Sequence, residues 1–342
     1  MRNRNISMAL LTLTAVLLLT CFLSAQTVPK ETLLALSKRD HTVAIVDPVT
    51  LKVIAKAPVG NDPHEVIASA DGKTAYVSNY GGGSFNTLAV IDLVSQKPLS
   101  SIDLGALKGP HGLDFKGGKL WFTVEGSKAI GSYDPVTQKI DWILGTGQNR
   151  THMVYVFADL KHIVTSNVSS GTVSMIEKTP PRTVGGPSGP PGGDWDETVV
   201  KVGNGSEGFD VSPDGKEIWV ANAQEGTVSI IDVASKKVVD TLSANVQSAN
   251  RLKFTPDGTH VLISGLRLES VAVIDAHTRK EIKQIKVGHG AAGIEMQPDG
   301  SRAFVASTPD NYVSVIDLKS LEVTGKIDVG PEPDGLAWST RR

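Results

Sequence analysis

The sequence predicts an all-β fold, a seven-bladed β-propeller with four antiparallel strands per blade. Three observations lead there. An alternating apolar segment ending in an acid recurs seven times, Asp-Gly turns recur ahead of it, and no stretch of the 342 residues carries a helical period. The segments are VAIVD ending at Asp47, LAVID at Asp92, IGSYD at Asp134, VSMIE at Glu177, VSIID at Asp232, VAVID at Asp275 and VSVID at Asp317. Their acids are spaced by 45, 42, 43, 55, 43 and 42 residues, and the long interval contains the Pro/Gly-rich stretch 180–193. A period of about 43 residues is the length of one four-stranded blade.

The second period shows each element in order. HEVIAS (64–69) alternates as a first strand, Asp71-Gly72 turns the chain, TAYVSN (74–79) and TLAVID (87–92) follow, and KPLSSIDL (97–104) completes the sheet. Asp-Gly recurs at 71, 214, 257 and 299 as a tight turn between the first two strands. The ends of the chain share a blade. GLAWS (335–339) matches a first strand, while TLLALS (32–37), HTVAIVD (41–47) and LKVIAKA (51–57) supply the other three. The C-terminal innermost strand and three N-terminal strands thus close the ring and remove an open sheet edge. Residues 179–198 form an inserted loop between the third and fourth strands of their blade, on the face opposite the first-strand starts. Trp195 near its end is a packing anchor or, alternatively, a partner contact.

Composition fits this picture. With 34 Gly, 18 Pro, 40% hydrophobic and 5% aromatic residues, the chain is turn-rich and globular, neither disordered nor collagenous. Arg2 and Arg4 precede an apolar run from Met8 to Leu23 that ends in Ser24-Ala25, which reads as a secretory signal peptide over residues 1–25. One propeller domain then occupies residues 26–342. An uncleaved membrane anchor is the alternative to cleavage; Cys21, the only cysteine, follows Leu18-Leu19-Thr20, whereas a lipid-attachment site wants a small residue just before it, which leaves a lipoprotein as a further alternative. The expected location is periplasmic or extracellular, with no membrane-spanning segment in the mature chain. The formal charge of −2 becomes −4 once Arg2 and Arg4 leave with the leader, so bulk attraction to nucleic acid is not expected.

YVSN (76–79), WVAN (219–222) and FVAS (304–307) each follow an ADG or PDG turn, and Val-Gly precedes a first strand at 59–60, 202–203, 287–288 and 329–330. Together these words resemble the YVTN β-propeller repeat proteins over roughly residues 31–339. The third and fourth blades depart from the pattern, with Glu177 for Asp and no PDG turn near Ala158-Asp159. The resemblance implies an exported or cell-surface bacterial or archaeal propeller. Related sevenfold propellers include lactonases, streptogramin lyases and non-catalytic modules of redox enzymes.

The residue at the start of each innermost strand is His64, His111, His152, Glu207, Asn250, Ala292 and Asp334 in turn. Successive innermost strands are neighbours around a propeller, so three imidazoles should face one mouth, flanked by Glu207 and Asp334. Neutral imidazole binds Zn²⁺-like ions and carboxylates suit Ca²⁺, Mg²⁺ or Mn²⁺. His64, His111, His152 and Glu207 are therefore the expected ligands of one divalent metal; the alternative is a set of polar turn caps around a solvent-filled mouth. Second-strand ends add Asn79, Glu125, Asn167 and Asn222, as ligand contacts or as local caps. Arg150 and Arg251 beside the mouth, with Arg39 and Arg267 in loops of that face, offer forked donors to an anion.

Other motifs carry less. GNGSEG (203–208) matches a dinucleotide glycine pattern but joins two strands, and HEVIA (64–68) lacks the second histidine of a zinc protease. The repeated acids Asp47, Asp92, Asp232, Asp275 and Asp317 each begin a turn and read as structural. The expected function is a monomeric ligand-binding or protein-interaction module that takes a small-molecule or protein ligand at the histidine-lined mouth. The alternative is a lactonase-like, metal-dependent hydrolase or lyase with Glu207 or Glu125 as base.

Overall fold

Seven sheets of four antiparallel strands make up the protein, in a computed structural model that describes residues 29–180, 193–243 and 245–342. The expected leader, Cys21 and residues 181–192 of the insertion lie outside the described residues. Among the described residues the helical pieces are two 3₁₀ turns, Gly81–Gly83 and Glu125–Ser127. No described helix is long and apolar enough to cross a membrane.

Blade 1 joins the two ends of the chain. β28 (Pro333–Thr340) is its innermost strand and β1 (Glu31–Ser37), β2 (Thr42–Asp47) and β3 (Lys52–Pro58) follow outward. Leu33 pairs with Trp338 and Ala35 with Leu336 across the junction. Blades 2 to 7 start from β4 (Pro63–Ala68), β8 (Pro110–Lys116), β12 (Thr151–Val156), β16 (Ser206–Val211), β20 (Ala249–Phe254) and β24 (Ala291–Met296). Each of these strands packs against the next, and β24 against β28, so the ring is closed. The core lies between the sheets. In blade 1, Leu34, Leu36, Val43 and Ile45 meet blade 2, whereas the alternate residues Leu33, Ala35, Ala44 and Val46 meet blade 7. Period-two alternation therefore buries both faces of one sheet. The repeated acids are turn residues: Asp47 accepts the Val49 N–H at 2.9 Å and the Thr50 hydroxyl at 2.8 Å.

The insertion is shorter than expected. β14 (Thr172–Thr179) and β15 (Asp194–Lys201) continue into it, and Thr179 pairs with Asp194. Residues 194–198, read as loop, are strand, because Trp195 finds a packing surface on Trp142 with ring centroids 5.0 Å apart. The strand end faces away from the channel mouth, as the topology requires.

One backbone device recurs at every blade and positions the site. The residue before each innermost strand is left-handed: Asp62, Gly109, Arg150, Gly205, Ser248, Gly290 and Glu332, with φ between 50° and 72°. Its carbonyl accepts the N–H of the residue that follows the second strand, namely Tyr80, Glu125, Val168, Ala223, Leu266, Thr308 and Lys38. Inside each innermost strand the register then shifts, as between Thr151 and Val154 in β12. Such a bulge turns an extra side chain away from the ladder. Two rings of side chains are thereby fixed at one mouth, the second residues of the innermost strands and the residues just past the second strands.

Candidate functional site

The first ring is the set expected from sequence: His64, His111, His152, Glu207, Asn250, Ala292 and Asp334 all line one cleft of about 380 Å³, with Arg150 and Arg251. That volume suits a small molecule. A wider groove of about 840 Å³ runs between blades 2 and 3, but Asp103 and Lys139 are its only charged lining groups. The convergent chemistry is at the mouth.

The second ring corrects the sequence reading by one residue. Asn79, Asn167 and Asn222 end their strands and turn back into their blades. Asn167 donates to Thr172 and Ser174, Asn222 to Thr227 and Ser229, and Asn79 to the Val59 carbonyl and Thr87. They do not line the cleft. The following position does, through Lys38, Tyr80, Leu266 and Thr308. Glu125 reaches the site because Val124 takes the asparagine position opposite Pro110, which leaves Glu125 one residue further on. The signal was present in the sequence as the residue after each YVSN-type word. Arg39 is drawn to Glu332 at the rim of the same face.

Two strands meet closely under the imidazoles. The Gly112 N–H donates to Thr123 Oγ1 at 2.8 Å, and Thr123 donates on to the His152 carbonyl at 2.6 Å. His111 and His152 consequently lie 3.8 Å apart between ring centroids, tilted by 37°. Tyr80 stands edge-on to His111 and to His64, at 5.2 and 4.8 Å.

Glu125 is the hub. It is 5% exposed, accepts the Tyr80 hydroxyl at 2.5 Å and the Arg150 Nε–H at 3.2 Å, and bonds His152 Nδ1. Glu207 Oε2 lies 2.8 Å from His152 Nε2, off the line of a well-aligned hydrogen bond. Burial opposes charge on His152, yet Glu207 and Glu125 outweigh it and raise its pKa above the ordinary value. Burial likewise works against ionised Glu125 and Glu207, but bonding to His152 and the nearby arginines hold both carboxyls down at about 2. His111 goes the other way. Burial first, then the neighbouring His152 and His64, hold it neutral well below the usual range. Its Nδ1 is buried without a partner.

His111, His152 and Glu125 offer ligand atoms within 4.8 Å of one another, all three buried. A His/Glu cluster able to hold a metal is therefore present, but it differs from the expected set. His64 is held by Lys38 Nζ at 2.8 Å and Asp62 at 3.1 Å, with Asp334 at 3.7 Å. Glu207 faces the other edge of His152, and Glu125 takes the carboxylate's place in the cluster. Around the mouth the carboxylates Asp62, Glu65, Glu125, Glu207 and Asp334 face the cations Lys38, Arg150 and Arg251.

Beneath the mouth the channel stays ionic. Arg251 bonds Glu65 across it at 2.5 Å, and Lys253 approaches Asp210 at 3.9 Å with 41% of its side chain facing channel space. Asp210 and Asp114 also accept the Phe254 and Val156 N–H groups of neighbouring strands, at 2.9 and 2.7 Å.

Fold and site together define a class: a seven-bladed propeller with a histidine- and carboxylate-lined channel mouth. Residues 191–294 match the family described as the Cytochrome D1 heme domain. That segment supplies Glu207, Asn250, Arg251, Leu266, Gly290 and Ala292 to the mouth and none of its three histidines. A cleft of about 380 Å³ crossed by the Lys38–Asp334, Arg150–Glu125 and Arg251–Glu65 ion pairs does not fit a broad, flat, largely apolar macrocycle. No curated protein matches the chain. Among solved structures it resembles a functionally unknown protein from Desulfotomaculum acetoxidans, at a TM-score of 0.75 and 13% identity over 91% of this chain and 99% of that one. It also resembles a putative 6-phosphogluconolactonase from Bacteroides fragilis, at 0.71 and 18% over 91% and 99%. Hydrazine synthase of Kuenenia stuttgartiensis aligns at 0.65 and 16% over 80% and 89%. At these identities the likeness is one of fold.

Proposed function

We propose that this is an exported propeller that binds a small molecule at the channel mouth, anchored by a divalent metal on His111, His152 and Glu125. The observation that carries the reading is the buried convergence of those three side chains, with His111 Nδ1 unpartnered among them. A buried nitrogen lacking a partner is costly unless something binds it. Two imidazoles and one carboxylate suit Zn²⁺ or Fe²⁺ better than Ca²⁺ or Mg²⁺, which prefer all-oxygen shells. Three protein ligands leave a coordination position for the bound molecule. Export rests on the basic-then-apolar leader, Arg2 and Arg4 followed by Met8 to Leu23.

Hydrolysis of a lactone or ester is the second reading, supported by the resemblance to a propeller titled a putative 6-phosphogluconolactonase. A bound metal would supply Lewis acidity there. Its weakness is the base: Glu207, held at about 2, is a poor proton acceptor at neutral pH. Binding is therefore the better-supported role. Elemental analysis of purified protein tests it, with one equivalent of metal expected in the wild type and less than a tenth in His111→Ala. Equal metal content in the two would overturn the assignment.

A further inference from the structure

The two rings at the mouth are not chemically uniform around the circle. Blades 1 to 3 present Asp334 with Lys38, His64 with Tyr80, and His111 with Glu125; blade 4 adds His152 and Arg150. Blade 6 presents Leu266 beside Asn250 and Arg251, and blade 7 presents Ala292, Thr308 and Pro309, with Gly290 between the two blades. Ala292 is the one first-ring position without a polar side chain, where its six equivalents carry His, Glu, Asn or Asp. This side is held in place. The Leu266 N–H donates to Ser248 O at 3.1 Å, the Thr308 N–H to Gly290 O at 3.2 Å, and the Thr308 hydroxyl to Pro333 O at 2.7 Å. Leu266 is 48% exposed although it borders a concave site. A lone exposed leucine means little. One that continues an alanine and a proline, facing a wall of imidazoles and carboxylates across a single cleft, marks the second half of a binding site.

We infer that the ligand is an amphipathic oxyanion, such as a carboxylate bearing a short alkyl arm, whose head lies at His111, His152 and Arg150 and whose arm lies over Ala292 between Leu266 and Pro309. The inference rests on the mouth being the ligand site, as proposed above. It adds the polarity of the molecule and the direction in which it lies. A wholly polar ligand would leave the Leu266 side wet, and a wholly apolar one would bury the charged side without partners. Long polar side chains at the equivalent positions of six other blades show that the backbone accepts them, so Ala292 can be enlarged without refolding the strand.

The test is calorimetric titration with acetate, butanoate, hexanoate and octanoate, on protein loaded with Zn²⁺ and on protein treated with chelator. Affinity should tighten by roughly three- to fifteenfold per two carbons, the upper value for a fully buried arm. The ratio of octanoate to acetate affinity should fall at least threefold in Ala292→Asn and in Leu266→Ser. Leu266 is exposed enough that its change leaves folding intact, which far-UV circular dichroism would verify. A flat series in the wild type, a ratio unchanged in both variants, or no binding of any carboxylate in either arm overturns the inference. The metal reading stands or falls separately: chain-length dependence without zinc uptake removes the metal and keeps the amphipathic ligand, whereas zinc uptake with a flat series does the reverse.

Discussion

The close, tilted contact of the His111 and His152 rings depends on a side chain that is missing: a Cβ on Gly112 would lie 2.4 Å from the His152 carbonyl oxygen and 2.6 Å from the Met153 Cα. Both are backbone atoms of the adjacent blade, and neither can swing aside. Gly112 has no unusual φ, so close approach alone requires glycine here. Gly112→Ala should therefore push β8 and β12 apart, lowering stability by about 1–3 kcal/mol and reducing metal uptake in the same variant. Gly145→Ala is the control, because its Cβ would meet open space. Urea unfolding of the two variants decides the point; equal midpoints would refute it.

Glu125 and Asn167 separate the site from the scaffold. Glu125 is buried and bonded to Tyr80, Arg150 and His152, so Glu125→Gln should reduce zinc affinity at least tenfold. Removing one partner from a buried ion pair typically costs about 3–5 kcal/mol, and the glutamine isostere should bring the loss in stability to the lower end of that range. Asn167→Ala should weaken its blade by about 1–2 kcal/mol, through lost bonds to Thr172 and Ser174, and leave zinc affinity within twofold of wild type. Competition with a zinc indicator reads both. A tenfold loss in Asn167→Ala would return the second-strand asparagines to the site.

The ring was legible in the sequence because blades repeat: seven acids at a near-constant spacing and Asp-Gly turns at one phase fix blade number, strand order and the shared closing blade. The histidine mouth was legible for the same reason, since His64, His111 and His152 hold one position of the repeat. Glu125's grouping with Asn79 was a phase error, and the cause is physical. Strand alternation sends Asn79 into the blade and the next residue toward the channel, whereas Val124 displaces Glu125 from the asparagine phase. Lys38 and Tyr80 were hidden behind the same offset. The Glu65–Arg251 bond across the channel joins residues from blades far apart in the chain, and nothing local in either strand announces its partner.

Closure by both ends gives a sharp expectation. β28 provides Leu336 and Ala337 to the clusters shared with blades 7 and 2, and Asp334 to the mouth. A chain ending at Glu332 would lose all of these together and leave β1 as an open inner edge. The truncated protein should fail to unfold cooperatively and should aggregate, as followed by circular dichroism melts and light scattering. A cooperative melt within a few degrees of the full chain would show that the clasp is dispensable.

Glu295 makes stability depend on pH in an unusual direction. It faces the channel among Lys253, Asp210 and Glu65, and burial pushes its carboxyl up to about 7; Lys253 opposes that rise, while Asp210 and Glu65 add to it. A carboxyl whose pKa is higher folded than unfolded binds its proton more tightly in the native state, so its contribution is complete below its ordinary value of 4.5 and is lost as pH rises through 7. Glu295→Gln keeps the neutral shape at every pH. The variant should match wild type near pH 4.5 and exceed it by on the order of 2 kcal/mol at pH 8, read as a gap in Tm that opens between those values. Lys253→Met should enlarge the wild-type loss at high pH, because it removes the one cation that opposes the shift. If Glu295→Gln proves less stable than wild type at pH 8, the carboxylate is ionised and well partnered there, and Lys253 outweighs burial.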